Sequence, residues 1–129
     1  MKYLFETAVA IIGTALTYAF GGFDATLTIL CCFIAADYLT GVARAVVEKT
    51  LSSSIGFRGI ARKVSILLVV MIAVLLDRLI NADNWIFRSL CAYFYIANEG
   101  ISILENAAEL GVPIPQKLKS VLKQLSTKE

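Results

Sequence analysis

Arg44-Ala-Val-Val-Glu-Lys-Thr-Leu-Ser-Ser-Ser-Ile-Gly-Phe-Arg-Gly-Ile-Ala-Arg-Lys63 is the longest non-apolar interval in the chain, and it lies between two runs apolar enough to live in lipid. Its cations Arg44, Lys49, Arg58, Arg62 and Lys63 face a single anion, Glu48. Lys and Arg near the ends of apolar segments stay on the cytoplasmic side of a bacterial membrane. The loop is therefore expected in the cytoplasm, with the flanking runs crossing the bilayer.

Composition agrees. The 129 residues are 58% hydrophobic and only 17% charged, with a mean hydropathy of +0.76. Soluble domains run about 45–50% apolar and about 25% charged, so a single integral membrane domain over 1–129 is expected. The net charge of +2 is small, and its cations are split by lipid-length segments. No nucleic-acid partner is expected, because no basic face of a soluble module is formed. Without histidine, any triad that needs an imidazole base is excluded. No glycine-rich phosphate loop or metal-ligand cluster appears, so no catalytic residue, cofactor or metal is expected. Cys31, Cys32 and Cys91 lack paired spacing and read as small buried hydrophobes.

N-terminal to the loop, Thr7 to Phe23 is an apolar run at the short end of spanning length. Ala19-Phe20-Gly21 could pass for a signal-peptidase site, but one preceding cation and three further apolar stretches favour an uncleaved span. Gly21-Gly22 and Asp24 make a turn, and Thr26 to Val47 is the second helix. Asp37 lies in its middle. A carboxylate at the bilayer centre costs about 2.5–3.5 kcal/mol, against roughly 0.3–0.6 returned by each Leu, Ile, Phe or Val. Asp37 shares a helical face with Gly41 and Arg44, beside the small residues Ala36 and Thr40 that suit close helix packing. It reads as a group satisfied within the bundle by backbone or Arg44, or as a functional intramembrane acid.

Within the loop, the serines before Ile55 are suited to cap a helix. Arg58 and Arg62 fall one turn apart, on a short interfacial helix feeding the third span. Arg44, Arg58, Arg62 and Lys63 are read as topology and anchoring residues. Val64 to Leu76 is almost wholly aliphatic, and Asp77-Arg78 marks the far interface. Asn81 to Asn84 is turn chemistry, with Asp83 or Asn84 as the next N-cap, and Trp85 is placed as an aromatic-belt anchor.

The fourth segment starts apolar and ends polar. Asn98, Ser102, Glu105 and Glu109 recur at helical spacing, flanked by Glu99 and Asn106. Asp37, Gly41, Asn98, Glu99, Ser102 and Glu105 are the candidate pore-lining or oligomer-contact residues. For Asn98 and Glu99 two surroundings stay open: the Arg58/Arg62/Lys63 cations, or water in an assembly. Gly111, Pro113 and Pro115 stop the helix. Beyond them Leu118, Val121, Leu122 and Leu125 oppose Lys117, Lys119 and Lys123, an amphipathic basic helix suited to a membrane surface or a partner protein.

Together these predict an all-α membrane protein with about four transmembrane helices, near 5–23, 25–47, 62–80 and 85–106, plus a tail helix over 115–127. With both termini inside, ten of the twelve Lys and Arg are cytoplasmic, Lys128 among them, and only Arg78 and Arg88 are outside. The alternative has three spans, with one segment interfacial or re-entrant.

Asp37-Tyr-Leu-Thr-Gly41, Leu51 to Lys63, Ile96 to Asn106 and Gly111 to Lys119 resemble, in order, the bacteriophage holins of the toxin secretion/phage lysis type. The resemblance implies a protein that self-associates in the host cytoplasmic membrane and opens lesions through which an endolysin, or in some relatives a toxin, leaves the cell. It is compatible with the physics, since an assembly shields polar faces that a lone bundle would expose to lipid. Two other functions fit less closely. Small proton-coupled multidrug transporters also have four short spans, but their essential acid lies in the first. An antiholin or membrane scaffold would use the tail helix to recruit a partner.

Overall fold

A computed structural model describes residues 1–81 and 83–127; Lys128, counted above among the cytoplasmic cations, lies outside the described residues, as does Ala82 of the turn. Five helices follow in order: α1 Lys2–Phe20, α2 Ala25–Val47, α3 Ser53–Leu79, α4 Ile86–Glu109 and α5 Gln116–Thr127, with no strand among the described residues. Three of them, α1, α2 and α3, are long and apolar enough to cross a membrane. The polar second half of α4 keeps it out of that group.

The boundaries have local causes. Asp24 caps α2 by accepting the N–H of Leu27 at 3.0 Å, and Ser52 caps α3 by accepting that of Ile55 at 3.2 Å. α3 is thus one continuous helix from Ser53, where a separate interfacial helix was expected ahead of the third span. Gly56 and Gly59 do not break it, because α2 lies against them: a Cβ at Gly59 would sit 3.4 Å from the Tyr38 ring. α1 ends in a Schellman turn in which Gly22 N–H reaches Thr17 O and Gly21 N–H reaches Tyr18 O. Gly21 has φ +75, and a Cβ there would meet Arg88 Nε at 3.0 Å.

α2, α3 and α4 pack as a three-helix core with α3 antiparallel to the other two. Their inward faces step by threes and fours: Leu27, Leu30, Ile34, Asp37 on α2; Ile66, Val70, Ala73, Asp77 on α3; Arg88, Ala92, Ile96, Glu99 on α4. This spacing keeps one stripe on the neighbouring helix. Leu30, Ile34, Ile66, Val70 and Ile96 form the apolar centre. α1 has no buried residue at all and touches the core mainly along α3; Tyr3 is 81% and Ile11 63% exposed. Such a helix has the surface of a lipid-facing segment. Cys31 and Cys32 are exposed and Cys91 is half-buried, against the expectation of buried thiols, because the 31–32 face of α2 points away from α3 and α4.

Candidate functional site

Three charges close the end of the core at which α3 begins. Lys63 of α3 donates from its Nζ to Asp37 Oδ2 on α2 and to Glu99 Oε2 on α4. All three side chains are nearly out of reach of solvent, with 13%, 11% and 4% of their surface exposed. Asn106 extends the network: its Nδ2 donates to Asp37 Oδ1 and to Thr40 Oγ1, each at 3.1 Å, and its Oδ1 accepts from Arg44 at 3.4 Å. Desolvating an ion costs several kcal/mol, which only good pairing recovers. Here two carboxylates share one ammonium, and amide and hydroxyl groups supply the rest. Among the described residues no buried side-chain polar atom lacks a partner.

A cleft of about 240 Å³ opens beside this cluster, lined by Tyr38, Gly41, Arg62, Ser102 and Asn106 among others. Among the described residues no group of His, Cys, Asp or Glu has the makeup of a metal site.

A second polar layer closes the opposite end. Asp77, fully buried, accepts the N–H of Phe87 at 3.0 Å and of Arg88 at 2.8 Å, and so caps α4 from another helix. This replaces the expected Asp83 or Asn84 cap; Trp85 occupies the N-cap position with φ 49 and offers no side-chain cap. Asp77 is therefore an internal acceptor and does not snorkel at an interface. Arg88, 3% exposed, donates to Phe20 O at 2.8 Å and Gly22 O at 3.1 Å, and grips both oxygens of Asp24 at 2.9 Å. Arg78 donates to Tyr18 O and lies 3.9 Å from the centre of the Tyr18 ring. Two guanidiniums thus hold the carbonyl end of α1, where the helix dipole favours cations. Trp85 is half-buried, its ring 5.1 Å from the Arg78 guanidinium and 5.8 Å from that of Arg88, so it serves a packed joint. Lys63 and Asp77 are separated along α3 by about 21 Å at roughly 1.5 Å per residue. That is thinner than a hydrocarbon core of about 30 Å.

The remaining candidates divide. Gly41 faces Asn106 within the same chain, where a Cβ would lie 3.7 Å from the amide nitrogen. Glu99 meets the cationic cluster through Lys63 alone, and Asp37 is met by Lys63 and Asn106, since Arg44 turns to Glu48 at 3.1 Å. Ser102 is half-buried, while Asn98, Glu105, Arg58 and Arg62 are exposed. On α5, Lys117 and Lys123 are exposed and Lys119 is half-buried. Sequence reading offered Lys63 to Glu99 only as one of the Arg58/Arg62/Lys63 cations and not to Asp37, and it missed the roles of Asp77, Arg88 and Asp24. A signal for Lys63 and Asp77 was present, because they continue the 3-4 stepping of Ile66, Val70 and Ala73.

The family model described as the bacteriophage holin family matches residues 14–127. The chain belongs to that family. Its relatives include an uncharacterized 14.9 kDa protein of Clostridium perfringens, 57% identical over 118 residues that cover 92% of this chain and 89% of the relative. Uncharacterized proteins of Clostridium acetobutylicum and Listeria innocua are 46% and 38% identical, covering 87% and 95% of this chain and 90% and 86% of their own. No solved structure matches. The holin family is not enzymatic, and with three long apolar helices the chain is a membrane protein.

Proposed function

We propose that the protein is a pore-forming holin: copies accumulate in the bacterial cytoplasmic membrane, associate, and open lesions that release an endolysin or a toxin. The observation that carries this is the two-sided character of α4. Its inward face is occupied by Arg88, Glu99 and Asn106. Its outward face is apolar at the start, with Phe87, Leu90 and Tyr93 exposed, and polar further on, with Asn98, Glu105 and Glu109 exposed. In a four-span, both-ends-inside arrangement the first half suits lipid. The second half needs water or another chain, since polar groups in hydrocarbon demand partners. Assembly supplies both, and Asn98, Ser102 and Glu105 are the residues that meet water or a neighbour.

Leakage of an enzyme-sized cargo from vesicles tests the proposal. Release is expected to rise steeply with the protein-to-lipid ratio. Sealed vesicles at high ratio, with the protein verified as inserted, refute it.

A further inference from the structure

The cleft between α2 and α3 carries polar groups that the fold itself does not use. Of the five arginines, Arg44 pairs with Glu48, while Arg78 and Arg88 hold the carbonyl end of α1. Arg58 and Arg62 are exposed, and neither side chain bonds to another described residue. Arg62 lines the cleft, and Arg58 lies one turn before it on the same edge of α3. Tyr38 of α2 lines it too, half-buried. Its side chain is seated against two glycines: a Cβ at Gly56 would stand 3.5 Å from the hydroxyl, and one at Gly59 would stand 3.4 Å from the ring. That hydroxyl has no partner among the described residues. The rest of the wall is largely apolar, with Val42, Ala45, Leu51 and Ile55. α5 packs on α4 with Leu122 against Gly100, and no described residue of α5 lines the cleft, which stays open.

Depth narrows the class of anion that fits. The Lys63 and Asp77 layers bracket Val70, and a hydrocarbon core of about 30 Å centred there ends about ten residues along α3, near Ile60. Arg58 and Arg62 flank that level, where phospholipid phosphates begin. A free hydrated anion gains nothing from apolar walls, whereas an amphiphile with an anionic head uses both parts of the cleft. Its volume of about 240 Å³ holds roughly eight groups of water size, at about 30 Å³ each. That is room for a headgroup and the first acyl carbons of one lipid.

We infer that the cleft seats one anionic phospholipid, its phosphate taken by Arg62 and the Tyr38 hydroxyl and its first acyl carbons by the apolar wall. Arg58 adds charge at the rim. Lys63 is already held by Asp37 and Glu99, and the Asp37 oxygens by Lys63 and Asn106, so the phosphate stays on the Arg62 side. A built seat of this kind differs from the general attraction of basic residues to a charged surface, because it has a shape that can be filled.

Native mass spectrometry of the full chain in detergent tests this, with phosphatidylglycerol, phosphatidylethanolamine and inorganic phosphate as probes. One phosphatidylglycerol is expected per chain, bound about fivefold or more tighter than phosphatidylethanolamine, and not displaced by inorganic phosphate at the same concentration. Arg62→Gln is expected to weaken it about fivefold, one cation's share at a membrane surface. Ala45→Phe fills the cleft while keeping every charge, and a similar loss is expected. Leu51→Trp narrows the cleft from the loop and repeats that test without touching helix packing; lipid-free melting verifies the fold of each variant. Equal binding of the two lipids overturns the inference, and so does displacement by inorganic phosphate, which would assign the site to a free anion. A loss with Arg62→Gln but with neither filling variant leaves only a diffuse basic surface and overturns the seat.

Discussion

The backbone N–H of Arg88 is donated to the buried carboxylate of Asp77 at 2.8 Å, which fixes the start of α4 to the end of α3 before any side chain of the turn is involved. The same Arg88 sends its side chain the other way, to Asp24 and the end of α1. One residue therefore joins all four long helices at the end of the bundle where α4 begins.

Asp77→Ala strands two N–H groups at a helix start. A buried donor left unsatisfied costs about 1–3 kcal/mol, so thermal unfolding in detergent should show a loss of about 3 kcal/mol or more. A loss below 1 kcal/mol would mean that water or Asn81 takes over the cap.

Lys63→Met leaves the Asp37 and Glu99 carboxylates facing each other with no counter-charge. Breaking a buried pair from one side costs about 3–5 kcal/mol. Lys63→Met combined with Asp37→Asn and Glu99→Gln removes the charges together and should recover most of that loss. Melting of the single and triple variants decides; a triple variant no better than the single contradicts the ion cluster.

The Arg88 guanidinium, by hydrogen bonding, holds the Asp24 carboxyl below its ordinary value of 3.8, against an opposing push from burial. A carboxyl lowered in the folded state adds stability that is complete above its unfolded value and is lost as pH falls through the folded one. The tie between α1 and α2 is thus expected to be intact at neutral pH and to weaken only below about pH 4. Asp24→Asn should remove that acid-dependent component from melting curves recorded between pH 2 and 6, while an unchanged acid slope would assign it to other groups.

Lys49 closes α2 at φ 59, a left-handed conformation in which its N–H reaches Val46 O. Glycine takes this backbone at no steric cost, so Lys49→Gly should raise stability by up to about 1 kcal/mol. A fall in melting temperature would show that the lysine side chain matters more than its backbone.

Much of the fold was legible because apolar length and glycine, proline and serine signals mark helix ends directly. α2 matches its expected 25–47, and Gly111 ends α4 as read. Asp37 and Glu99 stood out as acids in apolar surroundings. Their shared partner was legible only as one of three cations open to Glu99, because Lys63 ends a run of cations that look alike by composition. Arg62 and Lys63 differ by one residue, about 100° of helix, and that rotation sends one to the surface and the other into the core. The cap on α4 was unreadable for a different reason. Asp77 acts from ten and eleven residues upstream on a different helix, and local capping patterns describe only the residue next to the helix start. The back-packing of α5 depends on a glycine contact that no periodicity reveals.

The central claim is that the polar half of the outward α4 face is wetted when copies assemble. Asn98→Cys, in the chain with Cys31, Cys32 and Cys91 replaced by Ala, reports this through labelling by a membrane-impermeant maleimide in vesicles, timed against leakage. The account predicts slow labelling at low protein-to-lipid ratio and rapid labelling once vesicles leak. A thiol at residue 98 that stays shielded while the vesicles empty would contradict it.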